Sequence, residues 1–362
     1  MNSVKKQAAF FRKAKNQLEQ QLPFVLYNKP NSDLLIGIFQ SDKKEYQVKD
    51  FTETGFVFAP FDGSQILLIP ESAAEIVQVK WSKGSYYSSY FNETASENTI
   101  ARSHFEQLIQ KGINAIEEGI FDKVVLSRKE TVVLNSQDIT AIFTRLLDEY
   151  PTAFTYCFFH PISGLWFGAF SEQLLKINNT SIETMAVAGT QPYSDNIIWE
   201  NKEKQEQQYV TDFISKHLEG YVEEIKISEP YTMKAGQVAH LKTDISGNMA
   251  SGSGLRDIIR ILHPTPAVCG LPKEIAKEFI LKNENYHRDY YSGYLGELNK
   301  DFSNEHDATD IYVNLRCMRI TDNVADLYIG CGVTKDSIPE KEWYETVRKA
   351  ETMKQILEIK NT

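Results

Sequence analysis

Phe121-Asp122-Lys123-Val124-Val125-Leu126-Ser127-Arg128 is an apolar, β-prone run with a lysine set inside it. Valine and leucine at this density favour a strand. Desolvation disfavours the ammonium form, so a lysine buried there can act as a base near neutral pH. A lysine guarding a sheet edge gives the same pattern, because edge strands carry Lys to block pairing with other chains. The run alone leaves both readings open.

Outward from it, apolar residues Phe105, Leu108, Ile109, Ile113 and Ile116 recur at three-to-four spacing and predict a helix over residues 100–118. Further helices are expected over residues 4–20, 138–149, 202–219, 255–262 and 272–282. Strands are expected over 24–27, 33–39, 55–59, 65–69, 154–159, 165–170 and 182–188, the last ending at Gly189-Thr190. The turn at 160–164 predicts a hairpin. Residues 310–320 and 324–333 alternate well enough to pair across 321–323. Residues 249–254 read as a loop. Ser337-Ile338-Pro339-Glu340 has capping-box spacing, so a last helix should begin there and run to Leu357. Strands and helices mix without regular βαβ alternation, so an α+β fold is expected. Residues 1–95 form its strand-rich N-terminal part, and residues 96–362 carry the candidate chemistry. One interwoven domain is expected.

The totals exclude several function classes. The chain has 362 residues, 42% of them hydrophobic, and a formal net charge of −10. That charge argues against a nucleic-acid partner, which needs a basic face. The first 21 residues lack an apolar signal-peptide core, and nothing is long and apolar enough to span a membrane. Cys157, Cys269, Cys317 and Cys331 lie far apart, which favours buried free thiols in a cytoplasmic protein. An anionic substrate would need local cations.

Candidate chemical groups follow from position. Glu206 falls at the margin of the buried face of its helix, and Glu345 lies four residues before Lys349. If both face one cavity, they could share a hard cation such as magnesium. Otherwise they are a solvated helix-start acid and a surface ion pair. Glu172 follows a strand end, where apolar neighbours raise a carboxyl pKa and suit it to acid catalysis; a plain loop glutamate fits equally. Gly189-Thr190 and Gly330-Cys331-Gly332 suit carboxylate-binding backbone or tight turns. Neither fits a nucleotide-binding glycine motif. Arg316 suits a bidentate carboxylate or a structural ion pair. His240 and His263 have no metal-ligand spacing.

Together these stretches resemble one family. They are FDKVVLSR (121–128), SEQLL (171–175), Ala188-Gly189-Thr190, His240-Leu241, LHPTPAVCG (262–270), RDYYSGYLG (288–296), NLRC (314–317), GCGV (330–333) and EWYETVRK (342–349). The chain resembles the chorismate-utilising enzymes: isochorismate synthase, salicylate synthase, anthranilate synthase component I and aminodeoxychorismate synthase. The likeness covers roughly residues 100–358. It implies a large two-layered β-sheet core flanked by helices, with chorismate bound in a cleft and Mg²⁺ on its ring carboxylate. By position it implies Glu206 and Glu345 as metal ligands. It implies substrate contacts from Gly189, Thr190, His263, Ala267, Tyr291, Arg316, Gly330, Gly332 and Lys349.

The resemblance also narrows the reaction. Amine-transferring members usually carry glutamine at the place of Lys123, whereas water-adding members are similar to this chain in having lysine. Lys123 would then be the base for water attacking C2, and Glu172 the acid for the departing C4 hydroxyl. Ala188 stands where aminodeoxychorismate synthases have a nucleophilic lysine. Ala267 and Tyr291 resemble the isochorismate synthase branch rather than the salicylate branch. The chain departs from the family at Gln191, where arginine is common, and at Gln205 and Gln207 beside Glu206, where histidine is. A monomer without an amidotransferase partner is expected, serving menaquinone or siderophore synthesis.

Overall fold

The computed structural model describes residues 3–82, 98–235 and 238–359. In chain order the elements are α1 (Ser3–Glu19), β1 (Phe24–Asn28), β2 (Leu34–Gln40), β3 (Gly55–Ala59), β4 (Leu67–Pro70), β5 (Ala74–Lys80), α2 (Thr99–Glu117) and β6 (Lys123–Val133). Then come α3 (Ile139–Glu149), β7 (Phe154–His160), β8 (Gly164–Phe170), β9 (Gln173–Asn178), β10 (Ser181–Pro192), α4 (Asn201–Leu218), β11 (Val222–Ile227), β12 (Tyr231–Ala235) and β13 (Val238–Met249). The chain closes with α5 (Leu255–Leu262), β14 (Gly270–Leu271), α6 (Lys273–Asn283), β15 (Tyr294–Leu298), β16 (Ala308–Val313), β17 (Cys317–Thr321), β18 (Val324–Val333) and α7 (Pro339–Lys354).

Among the described residues the strands form two nine-stranded sheets. The first runs β14-β6-β18-β17-β8-β7-β1-β2-β5, and the second β11-β13-β10-β9-β16-β15-β3-β4 with β12 also on β13. Strand β1 shows how they stack. Side chains alternate along a strand, so Phe24 and Leu26 meet α1 and α3 while Val25 and Tyr27 meet the aromatic layer between the sheets. Phe58, Phe154, Phe158, Trp166 and Tyr312 fill that layer. Helices α4 and α5 cover the far face of the second sheet, and α2, α6 and α7 cover the β6–β18 end of the first. This is the helix-flanked, two-layered α+β core expected.

Local rules explain the boundaries. Asn98 caps α2 by accepting from the Ala101 amide, and Asp138 caps α3 by accepting from Thr140. At α7 the capping box does not form: Ser337 Oγ accepts the Thr334 amide instead, Ile338 is the N-cap, and the helix stops at Lys354. Strand β10 does not end at Gly189 but bulges there and continues to Pro192.

Residues 310–320 are not one strand. Residues 308–313 pair with β9 and β15 in the second sheet, whereas 317–321 pair with β18 and β8 in the first. The chain changes sheet at Asn314-Leu315-Arg316, where Arg316 takes the left-handed φ of 43°. Ser171-Glu172 makes the opposite crossing, from β8 to β9. The two crossings are tied together, with the Val313 amide donating to Glu172 O at 2.9 Å and the Ala169 amide to Arg316 O at 3.2 Å.

Candidate active site

The paired crossings open onto a cavity of about 290 Å³. Lys123 and Val125 of β6 form one wall, and Gly330 and Gly332 of β18 lie beside them, in register with Ser127 and Val125. These glycines sit inside the ladder, not in a turn. A Cβ on Gly332 would lie 3.0 Å from Glu206 Oε1, and one on Gly330 would lie 2.6 Å from the Tyr291 hydroxyl. Their lack of side chains is what admits Glu206 and Tyr291 to this floor.

Lys123 is only 2% exposed, so its strand position is not a solvent-facing guard. Its Nζ lies 2.7 Å from Oε1 of Glu206 on the α4 helix. On α7, Lys349 Nζ lies 2.6 Å from Glu345 Oε1 and donates to Gly330 O at 3.1 Å. Glu203 and Glu342, each one turn before Glu206 and Glu345, also line the cavity. Sequence reasoning passed over both, although the same E-x-x-E spacing on two helices was the available signal.

Arg316 stands apart from the two lysines. It lines the cavity with no hydrogen bond and no ion pair within 4 Å among the described residues. Burial lowers its pKa, opposed by the fields of Tyr291, Glu345 and Glu172. Burial also pushes the Glu172 carboxyl up to about 7, against the opposing pull of Lys123 and Arg316. Glu172 is thus half protonated near neutrality, the condition for a general acid.

The structure gathers Lys123, Glu172, Gly189, Glu206, Ala267, Tyr291, Arg316, Gly330, Gly332, Glu345 and Lys349 around this one cavity. Thr190 continues β10 opposite His240, and its side chain lies outside the described residues. His263 is not brought to the wall. Its Nε2 lies 3.2 Å from Phe61 O, and its ring meets Tyr294 edge-on at 4.9 Å. Burial lowers its pKa to about 3. The histidine that lines the cavity is His240, whose Nδ1 is 3.0 Å from Gly189 O. Burial first, then Arg316 and Lys349, lower its pKa to about 3, so its ring is neutral. Only the β10–β13 pairing places it there, and β13 had no legible sequence pattern.

The donor set fits a hard divalent cation. Its oxygen ligands would be carboxylates, and Glu203 Oε2 is buried without a hydrogen-bond partner among the described residues. Among the described residues no three His, Cys, Asp or Glu side chains close into a metal cage. Magnesium commonly takes one or two carboxylates and leaves its other positions to water and ligand.

Residues 66–358 match the family model described as chorismate binding enzyme. The chain belongs to that family. It is 30% identical over 260 residues to isochorismate synthase MenF of Pasteurella multocida, covering 67% of this chain and 58% of that protein. Among solved structures, the menaquinone-specific isochorismate synthase MenF of Escherichia coli superposes with a TM-score of 0.77 at 20% identity, covering 93% of this chain and 89% of that one. Anthranilate synthase component I of Streptococcus pneumoniae gives 0.66 at 17% identity, covering 91% and 92%. At these identities the structural likenesses establish the fold. No helix among the described residues is long and apolar enough to cross a membrane.

Proposed function

We propose that this chain is an isochorismate synthase, interconverting chorismate and isochorismate. The observation that carries the proposal is Arg316: a half-buried guanidinium in an acidic protein, with no hydrogen bond or ion pair among the described residues, facing the buried Lys123 and the half-buried Glu172. A partly desolvated cation without a counter-ion is costly, and a substrate carboxylate supplies a partner in bidentate form.

Around a ring anchored there, Lys123 Nζ takes a proton from water as its oxygen bonds to C2. The ring double bonds shift, the C4–oxygen bond breaks, and Glu172 gives its proton to the departing hydroxyl. One water enters and one leaves, and the roles reverse for the back reaction. Glu206 and Glu345 would hold Mg²⁺, with Glu203 and Glu342 close by; the bound ion supplies positive charge to the ring carboxylate. Tyr291 and Ala267 shape the ring pocket. The neutral His240 adds no charge to compete with Arg316. Lysine at 123 and alanine at 188 support water addition over amine transfer, so a monomer needing no amidotransferase is part of the proposal. The four buried free cysteines fit a cytoplasmic setting. Menaquinone synthesis is the pathway we favour over siderophore synthesis.

The test is to incubate the purified protein with chorismate and Mg²⁺, without ammonium, and separate the products. The expected outcome is isochorismate in equilibrium with chorismate and no salicylate. Salicylate plus pyruvate would reassign the protein to the lyase branch. A product formed only with ammonium would overturn the role given to Lys123.

A further inference from the structure

Strand β6 carries Lys123 but is incompletely paired on its outer side. The β14 ladder covers only Lys123 and Val124, and the Val125 amide donates to Cys269 O at 2.7 Å. Beyond that point the Val125 carbonyl and the Ser127 amide face a buried region with no strand to meet them. Two side chains take the strand's place. Arg288 donates to Val125 O at 2.7 Å, and the Ser127 amide donates to Glu284 Oε1 at 2.8 Å. Ser127 Oγ also donates to Glu284 Oε1, at 2.7 Å.

The pair is locked internally. Arg288 Nε donates to Glu284 Oε2 at 2.8 Å, and Nη2 to Oε1 at 2.6 Å. The remaining Nη1 donates to Val268 O at 2.9 Å, next to Ala267 in the cavity wall. The guanidinium also lies under the rings of Phe61 and Tyr291, at 4.5 and 5.7 Å. Both ionic side chains are almost wholly buried, at 1% and 2% exposure. A buried ion pair is weak as a source of stability compared with apolar packing. What a planar five-donor fork offers instead is fixed geometry.

We propose that Arg288, braced by Glu284, is the positioning residue of this site. It sets the Lys123 strand, the Ala267 loop and the Tyr291 ring at fixed spacing from behind the wall, without touching substrate. The inference rests on the proposed isochorismate synthase reading and deepens it.

The experiment uses Arg288→Lys in the full chain, with Ser127→Ala as a milder second variant. Lysine keeps the charge but cannot reach Val125 O, Val268 O and both Glu284 oxygens at once. We expect kcat to fall about 100-fold in Arg288→Lys, the size associated with a displacement of about 1 Å. KM for chorismate should rise far less. Amide hydrogen exchange should quicken by about tenfold or more in peptides covering 121–128 and 263–270, but not in those covering 24–40. Ser127→Ala should shift both readouts the same way by a smaller factor. Local loosening with kcat and KM unchanged would overturn the proposal, leaving the pair a purely structural one. If Arg288→Lys loosens everywhere, Ser127→Ala decides by the same two readouts. If wild type turns over no chorismate, the functional reading fails, while exchange in the two peptides still reports whether Arg288 holds this wall.

Discussion

Two buried clusters in this molecule set cations among carboxylates, and they differ in whether any bonding capacity is left over. In the first, Lys29 Nζ lies 2.5 Å from Glu297 and 3.0 Å from Asp301. Tyr27 donates to Glu297 at 2.5 Å, and Gln173 and Tyr312 donate to Asp310 at 2.6 and 3.2 Å. Its partners close on one another between the sheets. In the second, around Lys123 and Lys349, Arg316 has no hydrogen bond or ion pair within 4 Å and Glu203 Oε2 no hydrogen-bond partner among the described residues. Burial pushes both Glu172 and Glu297 to about 7. A raised carboxyl therefore does not distinguish the two clusters. Unused capacity facing a cavity does, and it is what singles out the second as the candidate site.

The contrast breaks most sharply at the acid–base pair. Lys123→Ala and Glu172→Gln should each lower turnover of chorismate about 10³-fold, or roughly 4 kcal/mol in the barrier. Thermal unfolding of Glu172→Gln should stay near that of wild type, whereas Lys123→Ala also strands the Glu206 carboxylate and should lower it, so rates are compared per folded molecule. Near-normal rates in either variant would remove that residue from its role.

Next in size, Lys29→Met should cost about 3 kcal/mol of stability in urea titrations at pH 8, because it strands buried carboxylates. Glu297 has a raised folded-state pKa, so its protonated form is favoured below about pH 7 and the penalty appears as pH rises through that value. The loss should therefore shrink at pH 6. Activity per folded molecule should not change; a large fall in kcat would erase the distinction between the clusters.

Arg316→Gln should behave oppositely. We expect kcat/KM to fall about 100-fold, near 2.7 kcal/mol, through loss of a charge-assisted carboxylate contact. Stability should hold or rise slightly, since a partly desolvated cation with no ion-pair partner among the described residues is removed. Marked destabilisation would show that Arg316 is a structural ion-pair residue after all.

The smallest effect is in pH. Glu172 must be protonated to act as the acid, so kcat/KM for chorismate should decline above about pH 7, by up to tenfold per unit. A profile flat from pH 6 to 9 would take the acid role from Glu172.

Side-chain periodicity was enough to place β1, β7, β8, α2, α3 and α5 close to where they lie. It could do so because a strand or helix buries its own alternate or three-to-four positions whatever it later packs against. Local pattern singled out Lys123, as a charge inside an apolar run, but left Glu172, Glu206 and Glu345 open to ordinary readings; only the resemblance of nine stretches to one family grouped the four as candidates. Glu203 and Glu342 stood in plain view at matching spacing.

Tertiary structure alone decided which sheet each strand joins. The alternation of residues 310–320 is continuous, yet the chain leaves one sheet for the other at Arg316. It also decided that His240 rather than His263 meets the cavity, because a histidine's neighbours depend on the register of a strand about fifty residues away. Above all, it decided which charges are matched. Whether a lysine or arginine finds a counter-ion depends on distances between residues far apart in the chain, and no local pattern encodes those distances.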